Sequence, residues 1–451
     1  MNKSTLAIAV AVGLLAQQAS AAGFIEDSKA TLKLRNFYIN NDNRDSGTPK
    51  NSNYTAEWGQ GFQLDFASGF TQGTVGFGID AIGLLGVKLD SSTAKHGNPT
   101  GANYGGSVFP SDGNHAVDDF SSLGLTAKAK VSQTELRIGT LQPKLPVIVS
   151  NDGRMLPQTF QGGQITSSEF KDLTFTGGQI EHAKGRNSSN NEGLSIAGAN
   201  NSITGKFVNK FYYGGVDYKV NKDLLLQYYY GNLEDFYKQN FLGLVHNWSI
   251  GPGVLKSDLR YFNSTDDGKN GYNSAYYTTG DYANSSAGSG KGKVDNNLIS
   301  GLFLYTVEGH TFGGGYQVSN GSSDFPFLNQ GDGASAYIPT DMQISKFARA
   351  GERTWQARYS YDFAKVGVPG LTAGAVYLRG DNIDTYSNKN VQTSNGASEW
   401  ERDITVAYVI QEGALKNLGF MWKNAMWRND IASQRDQDEN RLIVSYSIPL
   451  L

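Results

Sequence analysis

The chain has 451 residues with a formal net charge of −3, 55 glycines, 24 tyrosines, 23 phenylalanines and no cysteine. The missing cysteine excludes disulfides and thiolate metal sites, and so balanced a charge gives no reason to expect nucleic acid as a partner. The five histidines, His96, His115, His182, His246 and His310, are scattered without metal-ligand spacing, and neither HExxH nor GxSxG occurs. No catalytic residue, metal or cofactor is therefore expected. A serine–histidine–aspartate site assembled in space is the remaining enzymatic alternative.

In chain order, residues 1–21 read as a secretory signal. Lys3 supplies the positive start, Leu6 to Ala16 the short apolar run, and Ala19-Ser20-Ala21 the A-x-A cleavage site. Cleavage after Ala21 leaves one expected domain, 22–451. No later segment approaches the roughly 20 apolar residues that a membrane-spanning helix needs.

From there the hydrophobic period is 2. Phe62, Leu64 and Phe66 alternate with Gln63 and Asp65, and Val75, Phe77 and Ile79 with Gly76, Gly78 and Asp80. Leu123, Leu125 and Ala127 alternate with Thr126 and Lys128. Trp355, Ala357, Tyr359 and Tyr361 alternate with Gln356, Arg358 and Ser360, and Leu442, Val444, Tyr446 and Ile448 with Ile443, Ser445 and Ser447. Segments of about ten alternating residues are the pattern of an antiparallel transmembrane β-barrel, one side chain facing lipid and the next the lumen.

Short turn signals recur at Phe70–Gly73, Val131–Gln133, Ser167–Asp172, Val220–Asp223, Ile250–Gly253, Glu308–His310, Ala364–Gly370 and Gln411–Asn417. Between them lie longer polar stretches at 40–56, 91–118, 142–158, 184–206, 234–240, 264–296, 320–352, 382–399 and 429–440. Eight turns and nine loops predict an all-β barrel of about 18 strands, with the long loops outside and both termini in the periplasm. Phe37, Tyr38, Tyr228 to Tyr230, Tyr276, Tyr277, Trp400, Trp422 and Trp427 fall near strand ends, where interfacial girdles are expected. A β-sandwich is the alternative, but its strands are rarely so rich in glycine on the non-apolar face. Inward glycines would leave room for loops as well as water.

The stretch Gln142–Thr166 interrupts this pattern. Pro143, Pro146 and Pro157 exclude a helix or a ladder-paired strand. The run Leu145 to Val149 needs something to pack on, and Asn151 to Arg154 form a turn. The loop is expected to fold into the lumen and narrow it, with Asp152 and Arg154 near the opening. The plainer reading is a surface loop with an ordinary turn arginine.

Parity assigns Lys33, Arg35, Lys128, Lys130, Arg137, Lys256, Arg260, Arg358, Arg379 and Lys423 to the lumen, although the strands of Arg379 and Lys423 alternate loosely. About half of these cations would pair with Asp65, Asp80, Asp258 and Asp362. The others could pass an anion along, since lumen charges set selectivity and an arginine fork suits a carboxylate. Asp332-Gly333, after Phe325-Pro326-Phe327, is expected to be a turn.

Several runs resemble the OprD family of outer-membrane substrate-specific channels. They are GFIEDSKATLKLRNFY from Gly23, GFTQGTVGFGID from Gly69 with the following GLLGVKLD, NDGRMLPQTF from Asn151, and LEDFYKQ from Leu233. They continue with GERTWQARYSYDF from Gly351, VGVPGL, GDNID, EWERD, and DENRLIVSYS from Asp438. The resemblance covers nearly all of 22–451. It implies an eighteen-strand barrel constricted by its third and seventh loops, here about 142–158 and 320–352, and a ladder of arginine and lysine leading to the constriction. It implies passive uptake of small carboxylate-bearing nutrients, anionic or zwitterionic, across an outer membrane of lipid and lipopolysaccharide, by a monomer or weak trimer.

The region from Asn151 is most similar to OprE/OprQ-like members, which points to aromatic or cyclic carboxylates. Basic amino acids and small peptides, or general weakly selective diffusion, are the alternatives. Arg154, Arg353, Arg358 and Arg379 carry over in position. With Asp152, Lys256, Arg260 and Lys423 they form the expected constriction and guiding set. The chain departs from the usual terminal aromatic of outer-membrane proteins by ending Ile448-Pro449-Leu450-Leu451.

Overall fold

Alternating side chains make strands here because each pleated segment offers one face to lipid and the other to the lumen. In the computed structural model the described residues are 23–44, 54–96, 108–113, 115–196, 207–268, 294–329, 335–386, 392–431 and 434–451. The signal segment, Tyr276, Tyr277 and the Asp332-Gly333 turn lie outside them.

Eighteen strands form one sheet. The first six are β1 (Lys29–Asn43), β2 (Tyr54–Ala67), β3 (Gly76–Asp90), β4 (Asp119–Val131), β5 (Thr134–Leu141) and β6 (Thr159–Ser167). Next come β7 (Leu173–Lys184), β8 (Phe211–Lys219), β9 (Leu224–Leu233), β10 (Tyr237–Ile250), β11 (Gly253–Asp266) and β12 (Asp295–Val307). The last are β13 (His310–Gly321), β14 (Arg353–Asp362), β15 (Leu371–Tyr386), β16 (Gln392–Val409), β17 (Gly419–Asn429) and β18 (Gln437–Pro449). Each pairs antiparallel with the next, and β18 returns to β1, with Lys33 opposite Ser447 and Phe37 opposite Ile443. A closed ring leaves no backbone edge for lipid to meet.

The expected short turns all lie at one end. One of the two-residue turns, Glu308-Gly309, has φ of 49° and 86°, the left-handed pair of a type I′ hairpin. Strand ends at the other rim run further than the polarity of the sequence suggested. β15 and β16 remain paired through Ile383 and Ala397, inside the stretch read as loop 382–399. Backbone pairing needs no apolar face, so polar residues continue the ladder past the lipid-facing band.

Leu64, Phe77, Leu123, Leu125, Trp355, Tyr359 and Leu442 are exposed on the outer wall. Phe37, Tyr229 and Trp427 were expected in the girdle but are buried on the inner face, Phe37 in an apolar cluster with Leu84 and Phe109 and Tyr229 in another with Phe211 and Phe241.

The interior is partly filled by loops. One apolar cluster joins Phe211, Tyr213, Tyr229, Phe241, Phe262 and Leu298 of β8–β12 to the loop residues Val147, Ile148, Phe236, Phe325, Leu328 and Ile338. A second joins Phe37, Ile39, Leu84 and Phe120 of β1, β3 and β4 to Val108, Phe109, Met155 and Leu156. Glycine makes the second contact possible. A Cβ on Gly59 would stand 2.6 Å from Met155 Sδ, and one on Gly61 2.9 Å from Met155 Cγ.

Candidate functional site

The loop between β5 and β6 crosses the lumen because its two apolar ends bind opposite walls. Val147 and Ile148 lie in the β8–β12 cluster, while Met155 and Leu156 lie in the β1–β3–β4 cluster. Fully burying side chains of this kind is worth about 1.5–3 kcal/mol each, so both ends are held firmly. The polar turn Asn151 to Arg154 is left suspended between them.

Side chains of the wall and of neighbouring loops grip that turn. Arg35 of β1 binds Asp152 with both prongs, Nη1 to Oδ1 at 2.7 Å and Nη2 to Oδ2 at 3.1 Å, and also donates to the Arg154 carbonyl at 2.7 Å. Arg186 donates to Asn151 Oδ1 at 2.9 Å, and Asn151 Nδ2 donates to Ser335 Oγ at 3.1 Å. Arg154 approaches Glu439 at 3.9 Å, and its buried Nε has no hydrogen-bond partner.

The loop before β14 docks on the facing wall through its backbone. Glu401 accepts from the N–H groups of Gln343, Ile344 and Ser345 at 3.3, 3.0 and 2.7 Å. Glu399 accepts from Ser345 Oγ at 2.7 Å and from the Trp427 indole. Arg260 donates to the Tyr337 carbonyl at 3.1 Å, and Arg358 donates to the Pro339 carbonyl. Arg441 of β18 holds both loops, with Nη1 to the Gly153 carbonyl at 3.3 Å and Nη2 to the Gln343 carbonyl at 3.1 Å. Its Nε donates to Glu439 at 2.5 Å.

These groups form a run of charge around the gap between the loops. Lys423 and Arg441 are opposite one another across β17 and β18. Arg358, Val376 and Asp403 share a row across β14–β16, continued by Ala425 and Glu439. Arg358 lies within Coulombic reach of Arg260 and Asp403, and Lys423 within reach of Asp403, Arg441 and Glu439. Arg260 is neutralised by Asp258, with Nη2 to Oδ2 at 2.7 Å, and its guanidinium stacks 4.1 Å from the Tyr337 ring centroid. Among the described residues, Arg358, Lys423 and Lys256 have no carboxylate within ion-pair distance.

Of the residues singled out from sequence, the structure gathers Asp152, Arg154, Arg260, Arg358 and Lys423 around this gap. Lys256 faces inward on β11, four residues nearer the periplasmic rim than Arg260. Arg353 and Arg379 do not join them. Arg353 shares the outward parity of Trp355 and Tyr359, and Arg379 sits opposite Trp355 and Trp400 on the outer wall, paired with Asp381 at 3.2 Å. Parity misled here because the inward residues of β15 are themselves non-polar. Leu378 is completely buried, and Gly380 is packed by Glu352.

Other expected cations pair nearer the periplasm. Lys33 binds Asp65 at 2.6 Å, Lys128 binds Asp80 at 2.7 Å, and Arg137 lies between Asp80 and Glu135. Asp362 instead accepts from the N–H of Ala364 in a turn. Arg441 was missed although the same alternation, taken one residue back from Leu442, points it inward. Arg186 and Arg349, the latter 3.9 Å from Glu399, lie on loops, where period 2 carries no information. His96, a scattered histidine, is buried against Glu57 and Ser111 at 2.7 Å each and fastens a loop.

A closed eighteen-strand barrel, apolar outside and charged within, defines an integral outer-membrane channel of the porin class. The chain belongs to the OprD family of outer membrane porins, whose match covers residues 22–450. It is 35% identical to the porin-like protein GalP of Pseudomonas putida over 99% of this chain and 97% of that protein. Porin D of Pseudomonas aeruginosa is 34% identical over all of this chain and 99% of its own length. Among solved structures it is similar to Pseudomonas aeruginosa OccK8 (OprE), with 61% identity, a TM-score of 0.84 and coverage of 95% of this chain and 100% of that one. Pseudomonas aeruginosa OpdQ follows at 43% identity and a TM-score of 0.79 with the same coverage.

Proposed function

We propose that this porin is a substrate-selective passive channel for small carboxylate-bearing nutrients, with aromatic or cyclic carboxylates favoured. The carrying observation is that Arg358 and Lys423 face the lumen beside the gap with no carboxylate paired to them. A solute carboxylate can accept from Arg358 Nη1, the Nε and Nη2 of that side chain being bonded to Gln356, Pro339 and Met342, and pass to Lys423 without displacing a protein anion. The loops at 142–158 and 320–352 form the constriction, and Tyr337 offers a ring face beside Arg260. Pseudomonas aeruginosa OpdK, 34% identical with a TM-score of 0.80, has been crystallised with vanillate, an aromatic carboxylate, which supports the preference.

Uptake of basic amino acids is the second reading. Its support is Asp403, whose two carboxylate oxygens make no hydrogen bond. Asp403 is only 4% exposed, so a solute ammonium reaches it less readily than a carboxylate reaches Lys423.

Single-channel current in a planar bilayer tests this, with aromatic carboxylates added first and basic amino acids second. Interruption of small open steps by the carboxylates is the expected result, weakened in Arg358→Gln. Interruption by arginine or lysine alone would move the channel to the second reading. Large steps insensitive to both would mean that the loops do not narrow the pore.

A further inference from the structure

The outer wall carries a separate concentration of charge that solute passage does not use. Trp355, Arg379, Trp400 and Arg428 stand opposite one another in a single outward row across β14–β17. One row towards the periplasm the sequence is Ala357, Tyr377, Arg402 and Met426, and one row towards the long loops Arg353 faces Asp381. The aromatic rings form a continuous band, with Trp355 to Tyr377 at 5.3 Å and Tyr377 to Trp400 at 5.9 Å, and the Arg428 guanidinium 6.0 Å from the Trp400 ring. Below Arg402 on the same face come Ile404, Val406 and Tyr408. Four arginines therefore lie at the upper margin of the lipid-facing band, at the level an aromatic girdle marks as the membrane interface.

Their local acids do not account for all of them. Arg379 pairs with Asp381 at 3.2 Å, and Arg428 with Asp438 at 2.7 Å and Asp436 at 3.7 Å, while Arg44 shares Asp438. Arg353 and Arg402 have no hydrogen bond or ion pair among the described residues. The patch is also local. The described residues of β8–β13 contain one arginine, Arg260, and it faces the lumen; their outward aromatics, Tyr212, Tyr228, Tyr261 and Tyr316 among them, have no arginine beside them on that face. A girdle alone needs no arginine, and an outward cation is tolerated near the interface at about 0–1 kcal/mol, so four gathered on one side of the barrel point to an anion that meets them there.

We propose that this face, on β14–β17, is a binding site for the phosphates of lipopolysaccharide. The rim with the long loops is the outer one in an outer-membrane barrel, and the anion at that level of the outer leaflet is the phosphorylated lipid A headgroup. Arg353 and Arg402 grip phosphate oxygens through their planar forks. Arg379 and Arg428 flank them, and the acyl chains run down over Trp355, Ile404 and Val406. The bound lipid would be a fixed neighbour of one side of the barrel, distinct from the solvating lipid elsewhere.

The test is binding of lipopolysaccharide to the full-length mature protein in detergent, read by native mass spectrometry or by the rise in heat-unfolding midpoint. The doubly substituted Arg353→Gln, Arg402→Gln protein should bind at least about tenfold more weakly, a loss of about 1.4 kcal/mol. Lys423→Gln, inside the lumen, should bind as the parent does. Independently of any variant, the parent should bind enzymatically dephosphorylated lipopolysaccharide at least about tenfold more weakly, and inorganic phosphate alone should give no rise in the midpoint. Equal affinity of the double variant, or equal affinity for the dephosphorylated lipid, would overturn the proposal. A rise with inorganic phosphate alone would assign the site to free anions instead.

Discussion

Two stretches of the inner wall hold the same loops by different physics. On β8–β12 the contact is a dry cluster of Phe211, Tyr229, Phe241 and Phe262 against Val147, Ile148 and Phe325. On β14–β18 and β1 it is made by charged groups bonded to loop backbone, namely Glu401, Arg441, Arg358 and Arg35. Apolar burial is non-directional and grows with area, so the first wall can anchor a loop without dictating where each polar atom points. Charge-assisted hydrogen bonds are directional and strong. They fix the position of Gly153 and Gln343 while keeping ionised groups beside the gap. The wall that specifies position is therefore also the wall that a charged solute can read.

Four substitutions separate these roles. Ile148→Ala, on the apolar side, should cost about 2–5 kcal/mol, seen as a lowered unfolding midpoint in detergent, with the anion preference of surviving channels unchanged. A change in that preference would show that the apolar wall also sets selectivity. Arg441→Ala removes hydrogen bonds to both loops and leaves Glu439 without its nearest cation, a loss of about 1.5–3 kcal/mol. Its single-channel records should switch between levels about ten times as often as the parent's. A current as steady as the parent's would mean that apolar packing alone holds the loops.

Lys423→Gln breaks no ion pair, so stability should stay within about 0.5 kcal/mol. One charge about 4 Å from a hydrated solute is worth about 1 kcal/mol, so the anion-to-cation permeability ratio should fall about fivefold in reversal-potential measurements. The smallest effect is expected at Lys33, whose bridge to Asp65 is 48% and 33% exposed. Lys33→Met should change stability by about 0–1 kcal/mol. A larger loss on urea unfolding would mean that the periplasmic mouth is drier than its exposure suggests.

Fold and strand number were legible because lipid imposes a rule with few exceptions: one parity of every strand must be apolar. Arg358 was legible for the same reason, since Trp355, Ala357 and Tyr359 leave no doubt which way it points. The rule says nothing of the other parity. Where loops fill the lumen the inward residues are apolar too, as Leu378, Phe241 and Leu298 are, and a strand then gives two apolar faces. That is why Arg379 was drawn inside and Phe37, Tyr229 and Trp427 outside. Arg353, first residue of β14, was carried over with the family motif, although the alternation of Trp355, Ala357 and Tyr359 already points it outward. Arg35 and Arg441 were within reach of the alternation, but their joint hold on one loop turn depends on β1 meeting β18, a contact between opposite ends of the sequence.

That meeting of first and last strands orders the barrel's construction. The crossing loop belongs to the first third of the chain, and one of its apolar ends can settle on β1, β3 and β4 as soon as they pair. The clamp on its turn needs Arg441, which arrives with the final strand. A nascent barrel still waiting for β18 is thus an open sheet with an unsecured loop, and the selective aperture comes into being only at the step that seals the seam. Until that step the cell has no hole to guard, and afterwards the hole already has its filter.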